Sequence, residues 1–193
     1  FYGSAVTINT GVNGITLAGT HTTLGTGSLT VTGSGDIALG ASALTSSKFD
    51  ASAVTGKVTG TGLDLTTVPT IMTGSGADTL TLLAGTPASL TVDTGAGNDT
   101  LTLPAADWSA TGSIIDIDLG AGTDTVVFQS GTKISTTAAG SSKLDGAEVL
   151  AFAGSAEIQA SLVSGKTTAV AATAAGASHT VTVAVAATDT AVN

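Results

Sequence analysis

Three stretches of the sequence place one aspartate just after two closely spaced glycines. They read "GSGADTLTL" at 74–82, "GAGNDTLTL" at 95–103 and "GAGTDTVVF" at 120–128. Calcium prefers six to eight oxygen ligands from carboxylates and backbone carbonyls, and a glycine-rich turn can fold its carbonyls inward without side-chain clashes. One such turn cannot complete a calcium shell, but two stacked turns can share an ion. The repetition therefore predicts a calcium site.

The candidate metal ligands are the glycines and the acid of each turn, and three stacked turns are expected to hold two ions between them. The set is Gly74, Gly76, Asp78, Gly95, Gly97, Asp99, Gly120, Gly122 and Asp124. Asp93 and Asp118 stand two residues before their turns and are further candidates. Alternate positions on a strand can face water and accept any polar residue, and this interpretation of Asp93 and Asp118 is preferred.

Short apolar pairs spaced two residues apart recur along the chain, as in "ITL" at 15–17, "LTV" at 90–92 and "IDI" at 115–117. This spacing puts both apolar side chains on one face of a strand. The glycine turns are 21 residues apart (74 to 95) and then 25 (95 to 120), and each interval contains one further triplet. Two strands per repeat predict an all-β fold, a parallel β-solenoid of β-roll-like coils stacked around the turns. The alternative is an antiparallel β-sandwich with similar hairpin turns.

Composition supports the all-β prediction and excludes several classes of partner. The 193 residues include 37 threonines and 26 glycines, which favour strands and turns rather than helices. The formal net charge is −9 and arginine is absent, which argues against a nucleic-acid partner and suits divalent cations. No apolar run reaches the roughly 18 residues that a membrane-spanning helix needs. The chain also lacks cysteine, so neither disulfides nor thiolate metal sites contribute.

Three segments of the chain differ in composition and motifs. Residues 1–62 are a β-rich N-terminal segment, residues 63–153 contain the acid-glycine turns, and residues 154–193 form an Ala/Thr/Val-rich C-terminal segment with β character. The chain opens "FYGSAVTINT" without an initiator methionine, so we expect a piece of a longer protein. The first nine residues are also a candidate for a strand donated to a neighbouring subunit.

The turns resemble the repeats-in-toxin (RTX) nonapeptide, Gly-Gly-x-Gly-x-Asp-x-U-x, where U is a large apolar residue. The three copies match its second glycine, third glycine, acid and apolar position, and they depart from it at the first glycine, where Thr73, Thr94 and Leu119 stand. The phrases "LDGAEVLAFAG" at 144–154 and "KFDASAVTG" at 48–56 are also similar to RTX-type surface-layer proteins of Gram-negative bacteria.

This resemblance implies a secreted structural protein at the bacterial cell surface. Such proteins leave the cell by type I secretion and self-associate into a two-dimensional lattice in which calcium (Ca²⁺) holds subunits and contacts together. Attachment to cell-surface polysaccharide through other parts of the chain is a further expectation. The likeness implies neither membrane insertion nor binding of nucleic acid.

Three other functions are weighed against a surface-layer protein. A repeat of a calcium-stiffened secreted adhesin is the nearest alternative, and Thr-x-Thr pairs such as Thr79/Thr81 and Thr100/Thr102 suggest an ice- or surface-binding solenoid. An enzyme is the weakest option. His21 and His179 are too far apart in sequence to indicate a catalytic triad or a zinc site. Carbohydrate-cleaving β-helices need paired carboxylates or a basic residue in a groove, and the missing arginines narrow this choice.

Overall fold

The computed structural model describes residues 5–17, 27–40, 46–64, 68–83, 85, 89–108, 114–134, 142–163, 169–172 and 179–184. These residues form eighteen strands and one short helix, α1 (Ala160–Val163). The strands are β1 (Val6–Asn9), β2 (Ile15–Leu17), β3 (Ser28–Gly33), β4 (Ile37–Leu39), β5 (Lys48–Val54), β6 (Val58–Asp64), β7 (Thr70–Met72), β8 (Thr79–Leu83), β9 (Ser89–Asp93), β10 (Thr100–Leu103), β11 (Ile114–Asp118), β12 (Thr125–Phe128), β13 (Lys133–Ile134), β14 (Lys143–Asp145), β15 (Val149–Phe152), β16 (Ala156–Gln159), β17 (Ala169–Ala172) and β18 (Val181–Ala184). Within these ranges, no helix has the length and hydropathy to cross a membrane.

The strands alternate between two sheets. The first sheet has the order β1-β3-β5-β7-β9-β11-β14, and the second has the order β17-β15-β12-β10-β8-β6-β4-β2. The chain therefore visits each sheet once per coil and climbs by one strand spacing each time. All pairings between the described strands are parallel, which confirms the predicted β-solenoid, here of about six turns, and shows that the antiparallel sandwich is wrong.

A third sheet widens the coils toward the C-terminal end. It contains β13, β16 and β18, so the coils that follow β12 have three sides instead of two. Trp108 lies where this change begins, because its backbone N–H donates to the Lys133 carbonyl at 2.9 Å and its indole N–H donates to the Gly85 carbonyl at 3.0 Å. The Trp108 side chain is fully buried, so this lone tryptophan packs in the interior.

Alternate residues of each strand point into the space between the sheets. In the second sheet, Leu80, Leu101 and Val126 occupy the same position on successive coils, and each is fully buried. Phe128 and Phe152 stack in the same way, with ring centroids 5.1 Å apart. Burying one such side chain contributes about 1.5–3 kcal/mol, so these inward files are the main stabilising feature of the fold.

The sheets run without a break through the segment limits that composition suggests. Strand β6 spans the limit between residues 62 and 63 and pairs with both β4 and β8. Strands β16, β17 and β18 lie beyond residue 153 and continue the second and third sheets. The proposed donated strand at residues 1–9 lies partly outside the described residues, and its described part, β1, pairs with β3 of the same chain.

Glycine is required at the corner between the first and second sheets because the backbones of successive coils almost touch there. A Cβ added at Gly76 would overlap the carbonyl oxygen of Gly56, and one added at Gly97 would overlap that of Gly76. Gly97 also has a φ of +131°, which side chains other than hydrogen rarely allow. The glycines of the turns therefore let one coil settle on the next.

We expect Gly76→Ala to lower the free energy of unfolding by about 1–3 kcal/mol, because the new methyl group meets rigid backbone. The matched control is Gly60→Ala. A Cβ at Gly60 meets the movable methyl ends of Leu63 and Leu80, both at 3.3 Å, and of Leu39 at 3.6 Å, so this change is expected to cost much less than the change at Gly76. Urea unfolding of the two variants measures the difference. Equal losses of stability would contradict the close backbone approach at the corner.

Candidate metal centre

The three aspartates of the turns lie directly above one another. Each immediately precedes a strand of the second sheet, and the register Thr79↔Thr100↔Thr125 of β8, β10 and β12 stacks the residues before them in the same order. Asp78, Asp99 and Asp124 are 1 %, 1 % and 0 % exposed. We call these three residues the acid column. Its side chains are inside the solenoid wall, not on an exposed edge.

One carboxylate oxygen of each acid bonds to the coil before it. The backbone N–H of Val58 donates to Asp78 Oδ1, that of Asp78 donates to Asp99 Oδ1, and that of Asp99 donates to Asp124 Oδ1, each at 2.7 Å. Glu148 extends the series by accepting the Asp124 N–H at 2.8 Å. Each acid thus bonds to the preceding coil through its side chain and to the following coil through its backbone N–H.

Glu148 belongs to this series although its turn is shorter than the others. The register Asp118↔Asp145 and Thr125↔Val149 leaves six residues between the paired positions on one coil and three on the next. A glutamate has one more methylene group than an aspartate, which lets Glu148 reach the same N–H from this shorter turn. Unlike the three aspartates, Glu148 is exposed.

The second oxygen of each acid makes no well-formed hydrogen bond with the described residues. Asp78 Oδ2, Asp99 Oδ2 and Asp124 Oδ2 are buried. The Thr73 and Thr94 hydroxyls are close enough to Asp78 and Asp99 to lower the pKa of those two carboxyls, but neither completes such a bond to Oδ2. Buried carboxylates are expensive unless they are paired with a cation, hydrogen-bonded or protonated. Three such atoms lie on consecutive coils. A bound cation or a proton would lower the free-energy cost of burying their charge.

Burial is the main cause of the shifted acidity of the column. It raises the pKa of Asp78 to about 6, and the negative charge of Asp99 adds to the effect. Burial also raises the pKa of Asp99, and it raises the pKa of Asp124, where the charges of Asp99 and Glu148 contribute. The Thr73 hydroxyl, which donates to the Thr94 carbonyl at 3.1 Å, lies beside Asp78 and offsets part of the rise in pKa.

The residues that depart from the RTX pattern flank the column. Thr73, Thr94 and Leu119 are all buried, and they precede the first glycine of their turns. The Thr94 hydroxyl donates to the Leu119 carbonyl at 2.9 Å, continuing the bond that Thr73 makes to Thr94. Two of the three acids thus have a threonine hydroxyl beside them, at the position where the turns depart from the RTX motif.

The predicted glycine ligands line the turns but serve the stacking of the coils. Gly74, Gly95 and Gly120 succeed one another, and a Cβ on either later residue would overlap the carbonyl of the one before. The carbonyls of Gly74 and Gly95 accept the N–H groups of Ala96 and Ala121, each at 2.9 Å. Gly76, Gly97 and Gly122 form a second file with the same close contacts. The carbonyls of Gly74 and Gly95 therefore already bond to the next coil, and the role of the glycines as metal ligands stays a prediction.

Asp93 and Asp118 lie apart from the acid column. They pair with each other on the first sheet, where Asp93 is half-buried and Asp118 is exposed. Asp93 Oδ1 accepts the Gly95 N–H at 3.1 Å, and Asp118 Oδ1 accepts the Gly120 N–H at 2.9 Å. These local bonds start the turn, as an aspartate commonly does two residues before a turn amide. Their role as metal ligands stays a prediction.

The acid column offers the types of ligand that calcium prefers, but it offers too few of them to complete a calcium shell. Carboxylate oxygens and hydroxyl groups are the ligands that calcium prefers. Because the acids stack in a line, however, no three Asp, Glu or His side chains in the described ranges gather around one point. The free Oδ2 atoms and the hydroxyls of Thr73 and Thr94 would hold the cation, and water or further carbonyls would have to complete six to eight ligands.

Nearer the N-terminus, the same column is apolar. Register pairs Ile37 with Val58, and Val58 precedes Thr59, which pairs with Thr79. Ile37 and Val58 therefore occupy the position of the acids, at 1 % and 0 % exposure. Asp36 comes one residue earlier and is exposed, where its Oδ1 accepts the Lys57 N–H at 2.8 Å. The solenoid can thus be built with aliphatic residues at this position.

Comparison of the chain with protein-family models, with curated protein sequences and with solved structures finds no match. The resemblance to RTX-type surface-layer proteins therefore stays a prediction from the motifs quoted above.

Without metal, the stability of the protein is expected to fall as pH rises from 4 to 7. Folded Asp78 keeps its proton up to about pH 6, whereas an unfolded aspartate loses it near 3.8. Between these values the folded state binds more protons, so the free energy of unfolding decreases with pH and levels off above the folded pKa. About 2 pKa units correspond to about 3 kcal/mol for this residue, and Asp99 and Asp124 act in the same direction.

Thermal unfolding followed by circular dichroism in the presence of a chelator tests this expectation. Asp78→Asn should make the fall in stability between pH 4 and 7 shallower, because it removes one of the three groups whose pKa is raised. A melting temperature of the wild-type protein that rises over this range would contradict the buried, unpaired state of the column.

Proposed function

We propose that this chain is a non-enzymatic, calcium-binding structural module of a secreted bacterial surface protein, most closely of the RTX surface-layer type. One observation carries the proposal: three stacked aspartates are buried, and one oxygen of each makes no well-formed hydrogen bond with the described residues. The Gly-x-Gly-x-Asp turns supply the resemblance to a secreted calcium-binding family. Location at the cell surface and assembly into a lattice are expectations from that resemblance.

The position of the acids supports a conditional role rather than a purely structural one. Ile37 and Val58 fill the same column without a buried charge, so aspartate is not needed to pack this corner. Three stacked carboxylates repel one another and lose hydration, and both effects destabilise the metal-free coil. Bound calcium would supply two positive charges to the column.

In the proposed mechanism, the acids hold neighbouring coils together only when their charge is neutralised. Asp99 is the middle member: it accepts the N–H of Asp78 and donates its own N–H to Asp124, each at 2.7 Å. Its free oxygen lies between those of its neighbours in the stack, so it would contact a cation on either side. Because cation binding requires the stacked coils, binding energy adds to folding energy. Low calcium inside the cell would then favour an unfolded chain for export.

Calcium is expected to raise the melting temperature at pH 7.5. At a free calcium concentration of roughly 100 times Kd, one site adds about 2.7 kcal/mol of stability. For a chain of this size, that corresponds to about 5–10 °C. Thermal unfolding with a chelator, with millimolar calcium and with millimolar magnesium measures the effect. Identical melting temperatures under all three conditions would contradict the proposal and leave protonation as the way in which the column is neutralised.

Asp99→Asn separates the charge of the column from its shape. The amide keeps an oxygen for the Asp78 N–H and removes the central charge, so we expect a higher melting temperature than the wild type in chelator and a smaller increase with calcium. Asp99→Ala should weaken calcium affinity more than the same change at Asp78 or Asp124, because Asp99 serves both neighbouring intervals. Isothermal titration calorimetry measures the affinities.

The matched control for this variant is Asp36→Asn. Like the column acids, Asp36 accepts a backbone N–H from a neighbouring coil, in this case that of Lys57 on the following coil. It is exposed and lies outside the acid column. It should leave the calcium response unchanged. If both variants respond to calcium like the wild type, the column is not the binding site.

Light scattering in millimolar calcium distinguishes a surface-layer module from a repeat of a calcium-stiffened adhesin. A lattice-forming module should produce large, sheet-like particles that chelator disperses, whereas an adhesin repeat should remain a monomer that calcium only stiffens.

A further inference from the structure

Charge is distributed very unequally between the two main sheets. The seven strands of the first sheet contain seven charged residues: Lys48, Asp50, Asp93, Asp116, Asp118, Lys143 and Asp145. The eight strands of the second sheet contain one, Asp64, which is the last residue of β6. A chain with a net charge of −9 has therefore kept one broad sheet face almost free of charge.

The outward side of the four strands β6, β8, β10 and β12 of the second sheet instead carries regularly spaced threonines. Four of them stand in one file, in the register Thr59↔Thr79↔Thr100↔Thr125, and three stand in a second file, Thr61↔Thr81↔Thr102. The residues between the two files, such as Leu80 and Leu101, point inward and are fully buried. We call the seven threonines the threonine face.

The parallel sheet determines the spacing of this array. Neighbouring threonines in a file are about 4.7–4.9 Å apart, and the two files are about 6.6 Å apart, twice the rise per residue of a parallel strand. The buried leucines hold the strands in place from behind, so the hydroxyl and methyl groups lie on a rigid surface. A rigid array loses little conformational entropy when it binds a periodic partner.

We propose that the threonine face binds ice, with its hydroxyl and methyl groups holding an ordered layer of water. The spacing within a file and the spacing between the two files are both close to distances between rows of oxygen atoms on faces of hexagonal ice. Water held between the files could therefore join the crystal. Charged groups hold their own hydration shells and would disturb such a layer. Their near absence from this sheet, in an acidic protein, is the second observation that indicates ordered water as the partner.

The composition of the face argues against the other partners that a flat sheet could bind. The described strands of the second sheet contain two aromatic residues, Phe128 and Phe152, and both are buried inside. The face therefore lacks the aromatic rings on which sugar rings commonly stack. It also lacks the Trp, Tyr and Arg anchors that dominate protein–protein interfaces. This inference is independent of calcium binding, since the face and the acid column are on opposite sides of the sheet.

Ice-affinity partitioning of the whole chain in millimolar calcium tests the proposal. The wild-type protein should be concentrated in slowly grown ice, whereas albumin, added as a non-binding reference, should stay in the liquid. Thr81→Lys places a long cation at the centre of the second file and should lower the partition ratio at least about tenfold, equivalent to about 1.4 kcal/mol of binding. The matched control is Thr91→Lys on the first sheet, at an exposed position between Thr70 and Asp116, which should be captured like the wild type.

Circular dichroism confirms that the variants are folded, and Thr102→Lys replaces Thr81→Lys if the latter fails to fold. Exclusion of the wild-type protein from ice would overturn the proposal, and so would equal capture of the second-sheet variant and the wild type. Retention of the wild type on crystalline cellulose or chitin, with no capture by ice, would assign the face to a polysaccharide and also overturn it. These variants keep Asp78, Asp99 and Asp124, so their calcium response should be unchanged. A loss of affinity for ice would then be due to the threonine face and not to the acid column.

Discussion

The contact between the backbones of successive coils is the constraint on which the rest of this molecule depends. In an in-register parallel stack, each position of a coil meets the same position of the next, so a residue type that is accepted once tends to be repeated along a file. Leucine files build the core, glycine files allow the corners to approach, and threonine files cover one outer face. The solenoid is therefore a set of files, and the side chains in each file must be able to pack against identical side chains on the neighbouring coils.

Among the buried files of the described residues, the acid column is poorly suited to stacking on itself. Leucine or phenylalanine gains contacts from an identical neighbour, whereas a carboxylate gains repulsion and loses water. The N–H groups of the preceding coils satisfy one oxygen of each acid and leave the other unsatisfied. Because the earlier coils place Ile37 and Val58 in this file, the instability belongs to a limited part of the solenoid. Under the proposed mechanism, proton or cation concentration would control that part and leave the aliphatic coils unaltered.

Much of the fold follows from local pattern, because alternation of leucine and threonine marks strands and the spacing of the turns reveals two strands per coil. The stacking of Asp78, Asp99 and Asp124 could be predicted for the same reason. Their burial could not, since alternation does not tell on which side of a corner a residue will lie. The bond of Glu148 to the Asp124 N–H was also beyond prediction, because it joins a turn of different length. The third sheet depends on strands of two to four residues, too short to show a period.

The two ends of the described solenoid do not match. The main sheets stop at β1 and β2 at one end, and three sheets stop at β14, β17 and β18 at the other. Open strand edges are templates on which another chain can add. The two-sheet end of the described solenoid could continue only two of the three sheets at the other end of a second copy, so the two ends are not interchangeable. The described solenoid therefore has a direction along its axis.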